Sequence, residues 1–122
     1  MVKSMWSGTL RLRRHSPIFV ASLLQAVYDR LRGRGVLGGG IVHDYEVIVR
    51  VIYEYSKRNP EVARQVDFED RGGVIRSNVV SWYYTQTFSV LKEPREKFII
   101  DQHLYRRFYE ELGGVTGSMF GV

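Results

Sequence analysis

The sequence contains no cysteine, which excludes disulfide bonds, thiolate zinc sites and a cysteine nucleophile. It also has no apolar run near the roughly 20 residues that a membrane-spanning helix needs. No apolar stretch followed by small residues stands at the N-terminus, so we expect no signal peptide. A chain of 122 residues with an ordinary hydrophobic fraction of 44% favours one globular domain with one core.

Acidic residues are nearly missing from the first quarter of the chain. Residues 1–34 hold seven basic side chains and one acidic side chain, Asp29, whereas the other 88 residues hold eleven basic and twelve acidic ones. A basic segment beside a nearly neutral body is typical of a protein that binds a polyanion, and a solubilising tail is the alternative. The 14 arginines against 4 lysines favour phosphate, because a guanidinium group donates two parallel hydrogen bonds to it.

The N-terminal part is predicted to form a basic arm. Ser16 and Pro17 predict a helix over residues 17–32, which Gly33 ends. The glycines of residues 33–40 predict a hinge. They also spell G-x-G-x-x-G, but that dinucleotide motif requires a preceding strand within a βαβ unit. We therefore divide the chain into a basic arm with a helix and a glycine-rich hinge, residues 1–40, and a helical body, residues 41–122.

The body is predicted to contain three helices with clear start signals. These begin at Asp44, at the cap Asn59 before a proline, and at Glu93 before another proline. The last helix is expected to end at the glycine pair that starts with Gly113. It leaves a short apolar tail, residues 115–122, which we expect to pack on a neighbouring subunit or on its own core.

Residues 74–91 fit two patterns, the alternation of a strand and the spacing of a helix. Helix is favoured because about 15 unbroken residues are long for a strand. With this segment helical, the sequence predicts an all-α fold with a helix-bundle body of about four helices and an extended or helical basic N-terminal arm.

No group of side chains predicts catalysis, so we expect no enzyme activity, no cofactor, no metal ion and no small-molecule substrate. His15, His43 and His103 lack the spacing of metal ligands. His43 and Asp44 could form an oriented base, but no nucleophile accompanies them, and a role at the start of a helix is the more ordinary interpretation.

The basic residues therefore carry the functional prediction. Arginines spread over an arm, a helix end and a hinge would bind the phosphate backbone, which positions a protein without reading base sequence. The affinity of such contacts falls with salt at a slope of about −0.9 per phosphate neutralised. The residues predicted to contact nucleic acid are Lys3, Arg11, Arg13, Arg14, Arg30, Arg32, Arg34, Arg71 and Arg76.

In these features the chain resembles the major coat proteins of filamentous and rod-shaped archaeal double-stranded DNA viruses. The resemblance rests on the basic residues Arg11, Arg13 and Arg14, on a helical body of similar length, and on a long last helix that begins at a proline and ends in the Leu-Gly-Gly run of residues 111–118. It covers residues 44–122 by pattern and the arm by composition. The glycine run and the acidic stretch at residues 67–70 depart from the family pattern.

The resemblance implies a helix bundle whose arms wrap linear double-stranded DNA. Subunits of the family pair as dimers, identical or homologous, and stack into a helical filament. By position, Arg11, Arg13, Arg14 and the arginines of residues 30–34 would line the DNA. The implied location is the virion, assembled in the host cytoplasm, with possible contact to an envelope.

A second hypothesis is a small helix-turn-helix or winged-helix regulator that reads operator DNA. Its recognition helix would be residues 74–91, with Arg76, Ser77, Asn78 and Gln86 at base edges. The many aromatic residues of this segment count against a helix that lies in a groove.

Overall fold

The computed structural model describes residues 16–86 and 99–121 of the chain. The described residues form five helices and one short hairpin, so the predicted all-α fold class is confirmed. In chain order the elements are α1 (Pro17–Arg32), α2 (Ile41–Ser56), α3 (Pro60–Val66), β1 (Glu69–Arg71), β2 (Val74–Arg76), α4 (Asn78–Tyr84) and α5 (Gln102–Phe120).

Side-chain caps start α1, α3, α4 and α5, and those of α1 and α3 are where the sequence predicts them. Helix α2 begins at Ile41 without a side-chain cap, three residues before its predicted start at Asp44. Ser16 Oγ accepts a hydrogen bond from the backbone nitrogen of Phe19 at 3.2 Å. Asn59 Oδ1 accepts two, from Glu61 and Val62, at 3.1 and 3.3 Å. Each cap satisfies amide groups that have no partner inside the helix. These caps are local chemistry, which is why the starts of α1 and α3 are confirmed.

Helix α1 lies in the core and packs most extensively against α5. Its buried side chains share one cluster with those of α2, α3, α4 and α5. Near the centre, the fully buried ring of Phe108 meets the rings of Phe19 and Tyr55 edge to face, with centroids 5.1 and 6.1 Å apart. The prediction that residues 17–32 belong to an arm separate from the body is therefore wrong, because their apolar stripe is buried in the common core.

The glycine segment of residues 33–40 connects two packed helices. The carboxylate of Asp44 accepts hydrogen bonds from the backbone nitrogens of Gly38 and Gly39, at 3.0 and 3.2 Å. Val36 and Leu37 pack against the core cluster. The segment therefore joins α1 to α2 within one body, and its place as a hinge between arm and body is corrected.

The predicted start of the last helix at Glu93 lies outside the described residues, and the described part differs from its prediction. Residues 99–101 are not helical, and Asp101 caps α5 by accepting from the nitrogens of His103 and Leu104. The helix then passes through Gly113 and ends at Gly121, whose φ of 75° terminates it. Glycine costs about 1 kcal/mol in a helix interior. Here burial of Leu112, Val115 and Thr116 opposes that cost, so the predicted stop is wrong. The tail continues α5, and Val115 and Met119 pack on the chain's own core, which is one of its two expected placements.

Residues 74–91 contain both kinds of structure. Residues 74–76 form β2, paired antiparallel with β1 across a turn in which Gly72 and Gly73 have φ values of 63° and 92°. Ser77 then caps α4 and also donates a hydrogen bond from its hydroxyl to the Val66 carbonyl at 2.9 Å. The helix prediction is thus wrong for residues 74–76 and confirmed for residues 78–84; residues 87–91 lie outside the described part.

Candidate nucleic-acid interface

The predicted phosphate-binding residues lie on several elements. Lys3, Arg11, Arg13 and Arg14 fall outside the described residues. Arg30, Arg32 and Arg34 stand at the C-terminal end of α1, and Arg71 and Arg76 stand on the hairpin.

Arg30 contacts its own chain. Its Nη2 donates to the Tyr109 carbonyl at 2.8 Å, and its Cζ lies 4.2 Å from the centroid of the Tyr109 ring. Its Nε is buried and has no hydrogen-bond partner among the described residues. A Cβ on Gly113 would stand 2.6 Å from Nη2, so the guanidinium fits against α5 only because residue 113 is glycine. Arg30 is therefore an α1–α5 contact, and its assignment as an exposed phosphate ligand is corrected.

Arg32 and Arg34, in contrast, point to solvent. The side chain of Arg32 is 67% exposed, with Nη2 3.8 Å from Asp29 Oδ1, and its guanidinium lies over the Tyr28 ring. An exposed ion pair at that distance contributes little. The same carboxylate also accepts from Gln25 Nε2 at 3.0 Å and from the Tyr105 hydroxyl at 2.7 Å. Asp29 is thus held mainly by neutral donors, and Arg32 remains accessible to phosphate.

The hairpin is a poor phosphate surface. Arg71 is paired with Glu69 at 3.8 Å, and Arg76 stands opposite Glu69 in the strand register. Residues 67–76 contain three acidic side chains and two basic ones. The local charge is therefore negative, which disfavours binding of a polyanion at Arg71 and Arg76.

The described residues carry no net formal charge. Residues 16–86 and 99–121 together hold eleven basic and eleven acidic side chains. The +5 of the chain comes from residues 1–15, with four basic side chains and no acidic one, and from residues 87–98, with three basic and two acidic ones. The excess positive charge is therefore found in residues 1–15 and 87–98 and not throughout residues 1–34. The acidic side chains of the described body balance its basic side chains, including those of residues 30–34.

The basic N-terminal segment joins the body beside an open cleft. The backbone nitrogen of Ser16 donates to Gln65 Oε1 on α3 at 2.7 Å, which fixes the point of entry. The cleft has a volume of about 640 Å³. It is lined by Phe19, Asn59, Pro60, Glu61, Arg64, Arg107 and Glu111.

The cleft contains two arginines that are not among the residues predicted to contact nucleic acid. Arg64 on α3 and Arg107 on α5 stand 43 residues apart in the chain and meet only through the packing of their helices. The sequence shows each as an exposed position on an amphipathic helix, which is the pattern of any solvated face. No local signal distinguishes them from other surface arginines.

The two carboxylates of the cleft already have partners. Glu61 forms an ion pair with Arg64 and accepts from Gln65 Nε2 at 2.9 Å. Glu111 accepts a hydrogen bond from the Tyr55 hydroxyl. Burial, and then this bond to Glu111, raise the pKa of Tyr55 well above its usual value, so Tyr55 stays a neutral donor. Arg107 has no carboxylate within ion-pair distance among residues 16–86 and 99–121, which leaves its charge available to an anion.

The alternative recognition helix is not formed as predicted. Arg76 lies in β2, and the Ser77 hydroxyl bonds the Val66 carbonyl and the Val80 nitrogen. Helix α4 has seven residues and buries Tyr83 and Tyr84. Among the described residues, Arg76 therefore lies outside the helix and Ser77 is occupied by internal hydrogen bonds, so these two side chains are not placed at base edges as predicted.

The described residues contain no group of three or more His, Asp or Glu side chains placed to bind a metal ion. His43 Nδ1 lies 3.1 Å from Asp44 Oδ1. Burial raises the pKa of Asp44, but hydrogen bonds from His43, Gly38 and Gly39 outweigh it and hold the pKa below its usual value. Asp44 therefore stays ionised and orders the start of α2. This is the structural role at the start of a helix that the sequence favours for His43 and Asp44.

Comparison of the chain with protein-family models, with curated proteins and with solved structures finds no match. Among the described helices, none is long and apolar enough to cross a membrane.

Proposed function

We propose that this chain is a structural nucleoprotein that covers double-stranded DNA through its phosphate backbone, without sequence specificity and without catalysis. The observation that carries the proposal is the distribution of charge. A segment of fifteen residues with four basic side chains and no acidic one is attached to a body whose described residues are neutral. Association with a polyanion then depends on that segment and on arginines that are exposed near it.

Two exposed groups extend the proposed contact onto the body. Arg107, which has no carboxylate partner among the described residues, lines the cleft where the basic segment enters at Ser16, and Arg32 and Arg34 are exposed at the other end of α1. Arg64 in the same cleft is ion-paired with Glu61 and is not counted as a contact. Arginine favours this use because its planar group matches two phosphate oxygens. Backbone contacts fix the orientation of a subunit on the duplex but carry no base information. The proposed binding is therefore electrostatic and independent of sequence.

The resemblance to archaeal viral coat proteins supports a more specific proposal about the role of the chain. We propose a major coat protein of a filamentous or rod-shaped virion, in which identical or homologous subunits pair and then polymerise around linear DNA. A helical body with a basic N-terminal segment is what such a role requires. Contact with an envelope and assembly in a host cytoplasm belong to the same proposal.

Salt titration of binding tests the electrostatic part. Fluorescence anisotropy with random and with defined duplexes, at several salt concentrations, should give equal affinities and a linear dependence of log affinity on log salt. The variant R11A/R13A/R14A should lose about 2.7 from the slope, from about 0.9 per phosphate contact. R71A/R76A is the control and should keep the wild-type slope. Unchanged binding in the triple variant would place the interface elsewhere.

Electron microscopy tests the proposed polymerisation of subunits on linear DNA. Mixing the protein with long linear duplex should give filaments of constant diameter, and Arg107→Ala should raise the protein concentration needed to form them. One preferred short site, bound without any polymer, would reject a coat protein and favour a regulator.

A further inference from the structure

Ser16, the first residue that the structure describes, is held at its hydroxyl, its carbonyl and its backbone nitrogen. The hydroxyl accepts a hydrogen bond from the Phe19 nitrogen at 3.2 Å, and the carbonyl accepts one from the Val20 nitrogen at 3.1 Å. The Ser16 nitrogen donates to Gln65 Oε1 at 2.7 Å. The first two bonds start α1, whereas the third joins residues 49 positions apart in the chain and depends on the packing of α3 beside α1.

The bond to Gln65 restrains the direction in which the chain leaves α1. An amide N–H lies in the plane of the peptide bond that joins it to the preceding residue. Fixing the Ser16 nitrogen therefore orients the peptide bond through which residues 1–15 are attached. Helix α1 does not depend on this bond, because the Ser16 hydroxyl and carbonyl already supply its cap. The bond thus acts on the segment that precedes the helix.

The side-chain amide of Gln65 is itself held in place. Its Nε2 donates to Glu61 Oε2 at 2.9 Å, while its Oε1 accepts from Ser16, so both ends of the amide are bonded. Gln65 is half-buried, and Glu61 lines the cleft and is ion-paired with Arg64. The direction of the entering chain is therefore set by a network that includes two residues of the cleft.

Arg107 lies close to this entry point. The ring of the next residue, Phe108, meets the Phe19 ring at 5.1 Å, and Phe19 and Arg107 both line the cleft. Arg14 is two residues before Ser16, and two residues of chain span at most about 7 Å. The basic segment therefore begins within a few residues of Arg107, whose charge has no carboxylate partner among the described residues.

Two groups of cations bind one polyanion best when their connection holds both groups against it. The gain is an effective concentration, which depends on the length and stiffness of the connection. A fixed exit direction also reduces the conformational freedom that the segment loses on binding. The bond between Ser16 and Gln65 provides that stiffness at the point of attachment.

We propose that Gln65 is a positioning residue for nucleic-acid binding, which directs the basic segment so that Arg14 and Arg107 contact the same stretch of phosphate backbone. The inference rests on the proposed function, because it takes the segment and Arg107 as phosphate ligands. Gln65 acts through these residues and contacts no phosphate itself.

Gln65→Met tests the proposal, because methionine keeps the length of the side chain but offers the Ser16 nitrogen only a weak acceptor. Fluorescence anisotropy with duplex DNA should show binding weakened about two- to tenfold, the range that one hydrogen bond contributes. The salt slope should stay that of wild type, because the number of phosphates neutralised is unchanged. Gln25→Met is the matched control: Gln25 is also half-buried but donates to Asp29, and its loss should leave the affinity unchanged.

A second variant separates positioning from a purely structural role of Gln65. Two glycines inserted between Arg14 and His15 leave the contacts of the body in place but make the connection longer and more flexible. The insertion should weaken binding to a similar extent, and adding Gln65→Met should bring little further loss. If Gln65 only joined α1 to α3, the insertion would have no effect, and Gln65→Met would weaken binding equally with and without it.

Wild-type affinity in Gln65→Met or in the insertion variant would overturn the proposal, as would losses that add in the combined variant. If urea unfolding shows that Gln65→Met destabilises the body, the insertion variant decides alone. The variant R11A/R13A/R14A keeps the two proposals apart. Unchanged binding in that variant removes the proposed function, whereas a reduced salt slope there, with no effect of Gln65→Met or of the insertion, removes only the positioning role.

Discussion

The residues at the two ends of α1 differ in the contacts that they make. At the C-terminal end, Arg30 bonds the Tyr109 carbonyl and Asp29 accepts from Tyr105, so both residues tie α1 to α5. At the N-terminal end, Ser16 enters beside an open cleft where Arg107 has no carboxylate partner among the described residues. The C-terminal end is tied to α5 through Arg30 and Asp29, with Arg32 exposed beside this contact, whereas the N-terminal end lies next to an open cleft.

This difference shows why formal charge is a weak guide to a binding surface. Arg30 and Arg32 are two residues apart and count equally in the net charge. The guanidinium of Arg30 is packed on a tyrosine ring and a glycine, whereas that of Arg32 is mostly in solvent. Only the second is available to phosphate, so the helix face on which an arginine lies decides its use.

The largest expected effect comes from breaking the contact of Arg30 with α5. Arg30→Ala removes a hydrogen bond from a charged group and a cation–π contact. We expect a loss of about 1–2 kcal/mol in the free energy of unfolding, measured by urea titration with circular dichroism. Arg32→Ala is the control and should change stability by less than about 0.5 kcal/mol.

For DNA binding, the effects of Arg30→Ala and Arg32→Ala should have the opposite order of size. Arg32→Ala should lower the salt slope by about 0.9, and Arg30→Ala should leave it unchanged. Equal effects of the two variants on both stability and salt slope would contradict the distinction between the half-buried Arg30 and the exposed Arg32.

A smaller effect tests how closely the helices approach. Alanine is favoured over glycine in a helix by about 1 kcal/mol, but a Cβ at residue 113 would stand 2.6 Å from Arg30 Nη2. Gly113→Ala should therefore bring no gain in the wild type and about 1 kcal/mol of stability in the Arg30→Ala background, a coupling that a double-mutant cycle measures.

Gly114→Ala is the matched control for that cycle. Its Cβ would stand 3.3 Å from Arg58 Nη1, at the tip of an exposed side chain that can move aside. We expect it to stabilise both backgrounds equally. A coupling of Gly114→Ala to Arg30, or none for Gly113→Ala, would show that Arg30 does not set the distance between α1 and α5.

The smallest effect appears only at high pH. Burial and the hydrogen bond to Asp29 raise the pKa of Tyr105 from 10.0 to about 12. The folded chain therefore keeps this proton after the unfolded chain has lost it, so the contribution is complete below pH 10 and is lost as the pH rises from 10 towards 12. Tyr105→Phe should make the loss of stability over that window less steep, as measured by urea unfolding at each pH.

The slope should decrease without vanishing, because burial also raises the pKa of Tyr55, Tyr83 and Tyr84. Identical pH profiles for wild type and Tyr105→Phe would mean that the hydroxyl does not hold α1 to α5 in solution.

Local patterns in the sequence predicted part of this fold correctly. A cap and the proline after it act within one turn, so the starts at Ser16 and Asn59 follow from neighbouring residues. The apolar stripe of α1 and the helical class follow from the spacing of side chains within one helix. Caps, prolines and apolar spacing act within one turn or one helix, so they can be interpreted without knowing what the helix packs against.

The errors concern contacts that extend beyond the single helix to which a spacing pattern applies. Gly113 resembles a helix stop, but α5 continues because Leu112 and Val115 are buried against the rest of the core. Residues 74–76 have helical spacing, but they pair with β1 across a glycine turn. At Gly113 tertiary packing outweighed a local preference of about 1 kcal/mol. At residues 74–76 a strand pairing with residues three to seven positions away replaced the predicted helix.

The sequence by itself determined the charge imbalance and the helical character of the body, since composition and periodicity are properties of the chain alone. The tertiary structure decided which arginines remain accessible, because packing α1 against α5 covers Arg30 and brings Arg64 and Arg107 to one cleft. Proximity between residues 43 apart in the chain is a property of how helices pack, and no local pattern encodes it.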